Sequence, residues 1–71
     1  MGEQTRLIRQ WILLRTLSAR RQGATVKELA EDLAVGEKTI RRDLETFQSV
    51  GFPLIDEVER HGRKRWRLEP A

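Results

Sequence analysis

The 71-residue sequence contains no cysteine, a single histidine and no long run of apolar residues. Without cysteine the chain can form neither a disulfide framework nor a thiolate metal site, and it has no thiol nucleophile. The histidine, His61, has no second histidine with which to hold a metal ion, so we expect an ordinary exposed side chain. The longest apolar run, residues 11–14, is far too short to cross a bilayer, and nothing resembles a secretory signal. We therefore expect a soluble cytoplasmic protein with no cofactor, no metal and no membrane partner.

Enzymatic chemistry is not expected from this sequence either. Asp43 with Glu45, and Asp56 with Glu57, are pairs of nearby carboxylates, but no nucleophile, base or phosphate-binding loop accompanies them. A chain of 71 residues forms one small domain with little room for a pocket beside its core. We expect a binding domain over residues 1–69, with residues 70–71 as the start of a linker.

Residues 25–50 carry the most informative pattern. Thr25 is followed three residues later by Glu28, a capping box in which hydroxyl and carboxylate satisfy backbone amides of a helix start reciprocally. Gly36 is expected to permit a sharp turn, and Gly51 to end a second helix. Apolar residues recur at helical spacing on either side of that turn: Leu29, Ala30 and Leu33, then Ile40, Leu44 and Phe47. The pattern predicts two short helices joined by a tight turn.

The flanking segments complete a small fold. Two helices this short need a third element to close a core, and residues 6–22 are predicted to supply it as a helix. Pro53 ends the helical region. Residues 54–60 and 64–69 then read as strands, with a glycine-containing hairpin loop at residues 61–63. The predicted fold class is α+β: a winged helix-turn-helix of three helices followed by a two-stranded β-hairpin wing.

Residues 36–54, GEKTIRRDLETFQSVGFPL, and the basic hairpin ending in WRLEP closely resemble the N-terminal winged helix-turn-helix of DeoR-like bacterial repressors and of WYL-domain transcriptional regulators. The resemblance covers about residues 6–69. It implies sequence-specific binding of double-stranded DNA in transcription regulation, with residues 37–50 as the recognition helix in the major groove. It also implies a later domain, absent from this chain, that would mainly hold a homodimer together. Many relatives have Ser where Gly36 stands, and Gly caps a helix less well by a few tenths of a kcal/mol.

Basic residues are concentrated at the two ends of the chain, although the net charge is only +3. Residues 1–22 hold five arginines against one glutamate, and residues 58–71 hold five basic against two acidic side chains. The intervening residues are net acidic. Positive charge is therefore concentrated on the first helix and the wing. The acidic residues between them keep the whole molecule from being a nonspecific polycation.

The predicted recognition helix offers four candidate DNA contacts: Lys38, Thr39, Arg41 and Arg42. Arg41 lies four residues from both Glu37 and Glu45, so it can equally be a solvated ion pair. Lys38 and Arg42 form a row with no carboxylate four residues away. The two cations repel each other, and an opposing phosphate or guanine edge would make their arrangement favourable. The Thr39 hydroxyl lies in the first turn, where such groups commonly meet phosphates or base edges; the alternative is a hydroxyl that faces solvent.

The hairpin offers four further candidates for contacts to phosphate or to the minor groove, as the wing at about residues 60–67: Arg60, Arg63, Lys64 and Arg65. Strand alternation predicts that Arg63, Arg65 and Arg67 share a face that is free to meet DNA. On the opposite face, Trp66 and Leu68 are expected to pack inward against Val58. The alternative is a solvated basic edge strand that prevents edge-to-edge pairing.

The first helix is apolar over more of its circumference than a one-sided helix needs. At ~100° per residue its apolar side chains occupy an arc of about 260°, against the ~100° stripe of a one-sided helix: Leu7, Ile8, Trp11, Ile12, Leu13, Leu14 and Leu17. The excess must contact the hairpin or a partner chain. An alternative function is therefore a protein-protein interaction module that uses this surface. Leu13 is expected on any weak dimer surface, since it lies most nearly opposite the centre of the main stripe.

Overall fold

The computed structural model of the protein describes residues 2–59 and 62–69, and the side chains from Thr5 onward within them. The elements in chain order are α1 (Gly2–Ala19), β1 (Ala24–Thr25), α2 (Val26–Leu33), α3 (Glu37–Ser49), β2 (Leu54–Val58) and β3 (Lys64–Leu68). The predicted winged helix-turn-helix fold is confirmed, since three helices are combined with a small antiparallel sheet. The first helix begins earlier and ends three residues sooner than expected.

The wing contains a third strand that the sequence pattern did not predict. The sheet order is β1-β3-β2, and β1 pairs with β3 through Ala24 opposite Trp66 and Thr25 opposite Arg65. Two residues are too few to show strand alternation, so β1 exists only because β3 is beside it. Gly23 permits the approach: its φ is +83°, and a Cβ there would lie 2.7 Å from the Trp66 carbonyl oxygen.

The core is shared by all three helices and the sheet. Its buried apolar side chains are Leu13, Leu17, Ala24, Leu29, Ala30, Ile40, Leu44, Phe47, Leu54 and Trp66. Each fully buried leucine or isoleucine contributes roughly 1.5–3 kcal/mol to folding. Val58 does not contribute, since it is 66% exposed at the far end of β2, so its expected packing against the wing tryptophan is wrong.

The expected position of Leu13 on a dimer surface is also wrong. Leu13 is completely buried, one helical turn before Leu17 in the same core. The exposed apolar residues lie nearer the start of α1, where Leu7, Ile8 and Trp11 are 64%, 59% and 66% exposed. Counting angles around an isolated helix could not locate its buried stripe, because the neighbouring elements determine which side of an almost wholly apolar helix is covered.

The turn between α2 and α3 depends on a residue other than the expected glycine. The predicted capping box is present: Thr25 Oγ1 accepts from the Glu28 amide at 3.1 Å, and Glu28 Oε1 accepts from the Thr25 amide at 2.9 Å. At the other end of α2, Ala34 adopts the left-handed conformation with φ 57°. Gly36 has φ −73° and is the N-cap of α3, without a side-chain cap. The sharp turn is therefore made by Ala34, and Gly36 only begins the next helix.

Replacing Gly36 should reveal the missing cap. A Cβ at this position meets no atom within 4 Å, and the backbone conformation suits any residue. Gly36→Ser should raise the free energy of unfolding by a few tenths of a kcal/mol, because its hydroxyl can accept from a free amide of the first turn. Gly36→Ala adds the same Cβ without an acceptor and should destabilise the domain. Urea unfolding should give the order Ser, Gly, Ala; an alanine variant as stable as the serine variant would contradict the capping argument.

Candidate nucleic-acid interface

Lys38 and Arg42 lie on the exposed side of α3, one helical turn apart. The opposite side of the helix carries the buried residues Ile40 and Leu44. No carboxylate in the described part of the chain pairs with either cation, as their spacing predicted. Two cations at this distance repel each other, and an anion facing them would remove that cost. This row is the part of α3 best suited to contact phosphate or a base edge.

Arg41 lies beside that row and already has a partner. Its Nη2 is 3.5 Å from Glu37 Oε1, and the two side chains are 63% and 49% exposed. An exposed pair at this spacing is worth about 0.3–0.5 kcal/mol, so a phosphate could displace the carboxylate at little cost. Thr39 is half-buried in the first turn of the helix. Both residues remain candidate contacts.

A groove of about 690 Å³ separates α3 from the wing. The side chains that line it include Glu37, Arg41, Glu45 and Gln48 of α3, Lys27 at the start of α2, and Asp56, Arg63, Lys64 and Trp66 of the wing region. Lys64 Nζ lies 3.6 Å from Asp56 Oδ2, whereas Lys27 and Arg63 pair with no carboxylate among the described residues. The groove therefore combines neutralised and free cations with the carboxylate of Glu45, which pairs with no cation among the described residues. An extended anion that contacts α3 and the wing together would be attracted by the free cations and repelled by Glu45.

The arginines of β3 are not free, contrary to expectation. Arg65 Nε donates to Glu59 Oε1, and Arg65 Nη1 donates to the Gly23 carbonyl oxygen at 3.2 Å. Arg67 Nη2 donates to Glu57 Oε1 at 2.6 Å. Strand pairing places glutamates of the β2 side next to the arginines of β3, which alternation along one strand cannot reveal. Arg63 alone of the predicted arginine face keeps an unpaired charge; Arg60, like His61, lies outside the described residues.

Glu28 joins the start of α2 to both α1 and the wing. Besides closing the capping box, its carboxylate lies 3.8 Å from Arg65 Nη1 and 4.0 Å from Arg20 Nη1. The hydrogen bond from the Thr25 amide is the largest cause that lowers the pKa of Glu28, and the charges of Arg65 and Arg20 lower it further. Arg65 thus holds the wing against α2, and positions the neighbouring basic residues.

Asp43 is a buried carboxylate whose role sequence reasoning missed. It is 2% exposed, and Arg9 reaches it from α1 with Nε 2.7 Å from Oδ2 and Nη2 3.0 Å from Oδ1. Gln10 Nε2 adds a third hydrogen bond, 3.2 Å from Asp43 Oδ1. The hydrogen bond that Arg9 itself donates to Asp43 raises the pKa of Arg9. The sequence did contain a signal for this buried position: Asp43 follows Ile40 by three residues and therefore lies on the apolar side of α3.

A tight turn between two short helices, an exposed cationic row on the second helix and an adjacent wing are the features of a helix-turn-helix domain. Residues 9–62 match the family model described as an HTH domain. The chain belongs to this HTH family. No sequence among the curated proteins matches it.

One similar solved structure supports the fold of the HTH domain. A crystal structure of a protein from Ralstonia eutropha JMP134, provisionally described as DNA-binding, superposes with a TM-score of 0.66. The match covers 92% of this chain and 82% of that one, at 19% sequence identity. At this identity the likeness establishes the fold alone. Neither comparison distinguishes the DeoR-like or WYL-domain subfamilies, which remain predictions.

The described part of the HTH domain contains neither a membrane-spanning helix nor a cluster of metal-ligating side chains. None of its described helices is long and apolar enough to span a membrane. Among the same residues, no group of three or more metal-ligating side chains could hold a metal ion.

The HTH domain should lose the contribution of Glu28 in acid. A carboxyl whose pKa is lowered on folding stabilises the fold above its unfolded value, near 4.5, and that contribution disappears as pH falls through the lowered folded pKa. Glu28→Gln should therefore lower Tm at pH 7, with the difference from wild type shrinking as pH falls below about 4.5 and through the lowered folded pKa. The effect is small because the side chain is 42% exposed. Glu31→Gln, an exposed position on the same helix, is the control; equal pH profiles for both variants would contradict the assignment.

Proposed function

We propose that this HTH domain binds double-stranded DNA in a sequence-specific manner, as the DNA-binding part of a bacterial transcription regulator. The observation that carries the proposal is the exposed, unpaired Lys38 and Arg42 row on the second helix of the motif. In helix-turn-helix proteins this helix enters the major groove, where arginine and lysine side chains bind guanine edges and phosphates. Membership of the HTH family supports the same assignment.

The wing would contact the backbone beside the recognition helix. Arg63 is exposed and unpaired, and Lys64 has only an exposed carboxylate partner, 3.6 Å away. Either can bind a phosphate or reach a narrow minor groove. Arg65 would act mainly by holding the wing in place, since its guanidinium already has three partners within the domain.

The resemblance of residues 36–54 narrows the proposal further. It supports a repressor of the DeoR-like or WYL-domain kind, acting in the cytoplasm, with a ligand-sensing or oligomerising domain elsewhere in the full protein. This domain would contribute DNA binding and no enzymatic step.

DNA binding should depend steeply on salt. With roughly four to six phosphate contacts, affinity for a selected duplex should fall at least about a hundredfold between about 50 and about 200 mM salt. Fluorescence anisotropy with a duplex selected from a random pool measures this slope directly. An absence of binding to any duplex at low salt, or an affinity indifferent to salt, would refute the proposal.

Substitutions in α3 and in the wing should differ in kind. Lys38→Ala or Arg42→Ala should weaken binding to the selected duplex by about 1–3 kcal/mol and relax preference at particular base pairs. Arg63→Ala should weaken all duplexes alike and reduce the salt slope by about one unit. Repeating the selection with each variant separates the two effects. Equal losses of affinity for selected and random DNA in all three variants would contradict the assignment of base recognition to α3 and of phosphate contact to the wing.

A second candidate function is self-association through α1, favoured by the exposure of Leu7, Ile8 and Trp11. A two-fold dimer would present two copies of α3 to an inverted repeat, with half-sites about 34–36 Å apart. The domain measures 40 × 26 × 21 Å, so two copies side by side are compatible with that spacing. The dimer would be weak, because Arg15, one turn after Trp11, pairs with no carboxylate among the described residues and would repel its counterpart in the other copy.

Trp11→Glu tests this contact. Its side chain is 66% exposed, so the variant should unfold at nearly the wild-type temperature while losing the dimer detected by sedimentation at high concentration. Val58→Glu is the matched control, since Val58 is equally exposed but lies on the wing. A wild-type domain that stays monomeric at all concentrations, or a Trp11 variant that still dimerises, would exclude this surface.

A further inference from the structure

The buried contact between α1 and α3 has a geometry suited to orienting the recognition helix. Asp43 accepts hydrogen bonds at both carboxylate oxygens, two from the guanidinium of Arg9 and one from the amide of Gln10. We propose that Arg9 and Gln10 are positioning residues for DNA recognition, which fix the rotation of α3 about its own axis by holding Asp43. This inference rests on the proposed function and assigns a role to residues that need not touch DNA.

The apolar contacts of α3 determine which side of the helix faces the core, but they constrain a small rotation less sharply than a directional contact does. Ile40, Leu44 and Phe47 pack into the common core, and burial of apolar area is not directional. A paired guanidinium and carboxylate is directional, because two parallel hydrogen bonds require the two planar groups to be aligned. The geometry of the Arg9 to Asp43 pair therefore changes if α3 turns.

A small rotation would matter at the proposed interface. Side chains extend to about 5–6 Å from a helix axis, so a turn of about 20° moves their ends by about 2 Å. A hydrogen bond tolerates only about 0.5 Å in donor to acceptor distance. Arg42 directly precedes Asp43, and Lys38 lies one turn before Arg42. Both proposed DNA contacts would thus be displaced by more than base recognition allows.

Stability alone does not account for a pair placed here. Burying two charged groups carries a desolvation cost that the attraction between them often only balances, and apolar pairs of similar volume are frequently as stable. Arg9 keeps 21% of its side chain exposed while Asp43 keeps 3%, so the carboxylate bears most of that cost. An apolar pair would fill the space without aligning the helix.

The test replaces the pair by an apolar one. Arg9→Met combined with Asp43→Leu should keep the fold, measured by thermal unfolding, and keep affinity for unrelated duplexes within about twofold. The ratio of affinities for selected and unrelated duplexes should fall at least about tenfold, the equivalent of one lost base contact. The control is Arg20→Met with Asp32→Leu, which removes the 2.5 Å ion pair of Arg20 with Asp32 and its 4.0 Å contact with Glu28, neither of which involves α3. Its ratio should stay at the wild-type value.

Two further measurements keep the outcome decisive. Arg9→Lys retains the charge but loses the paired geometry, so it should lower the same ratio even if the double variant does not fold. Residual dipolar couplings of the α3 amides, measured without DNA, should report a changed orientation of α3 relative to α1 in the folded variants. An unchanged ratio or an unchanged orientation would overturn the inference. A wild-type domain that prefers no duplex would instead refute the proposed function. The dipolar couplings would then still show whether Arg9 sets the orientation of α3.

Discussion

Every helix of this domain depends on a core that the other elements complete, because helices of 8 and 13 residues are marginal in water and most helical stability in proteins comes from tertiary packing. Leu13 and Leu17 of α1, Leu29 of α2 and Ile40 of α3 are buried against one another, and the sheet covers the same core. The exposed side of α3 therefore has a defined position only when the whole domain is folded. This constraint makes any defect in the packing of α1 a defect in the candidate interface as well.

Charge in the domain divides into groups used within the fold and groups left for a partner. Arg65 and Arg67 are neutralised by glutamates near the hairpin, and Arg9 by the buried Asp43. Lys38 and Arg42 keep their charge on the exposed side of α3. Repulsion within that row is relieved by an anion, which is the physical basis for proposing DNA. The ion pairs elsewhere hold the wing and α3 where that anion could reach both.

The exposed apolar patch near the start of α1 takes no part in these ion pairs. It lies close to the contact between Arg9 and Asp43. Trp11 and Ile8 flank Arg9 and Gln10 along the helix, so a partner bound to the patch would lie within one turn of the residues that hold Asp43. Self-association and orientation of the recognition helix would then use adjoining parts of one element, which is an economical arrangement for a domain of 71 residues.

The order of the helices, the capping box of α2 and the unpaired row on α3 could be predicted from sequence, because each depends on residues three or four positions apart in one helix. The third strand, the true turn residue Ala34, the burial of Leu13 and the ion pairs of Arg65 could not. All of these features except Ala34 depend on contacts between separate segments: Gly23 lies against Trp66, and Arg65 donates to the Gly23 carbonyl oxygen. Ala34 is a local exception, because a left-handed conformation is expected of glycine and is adopted here by alanine. Local spacing determines which face a side chain occupies, whereas only the tertiary structure decides what lies opposite that face, and therefore which charges remain free.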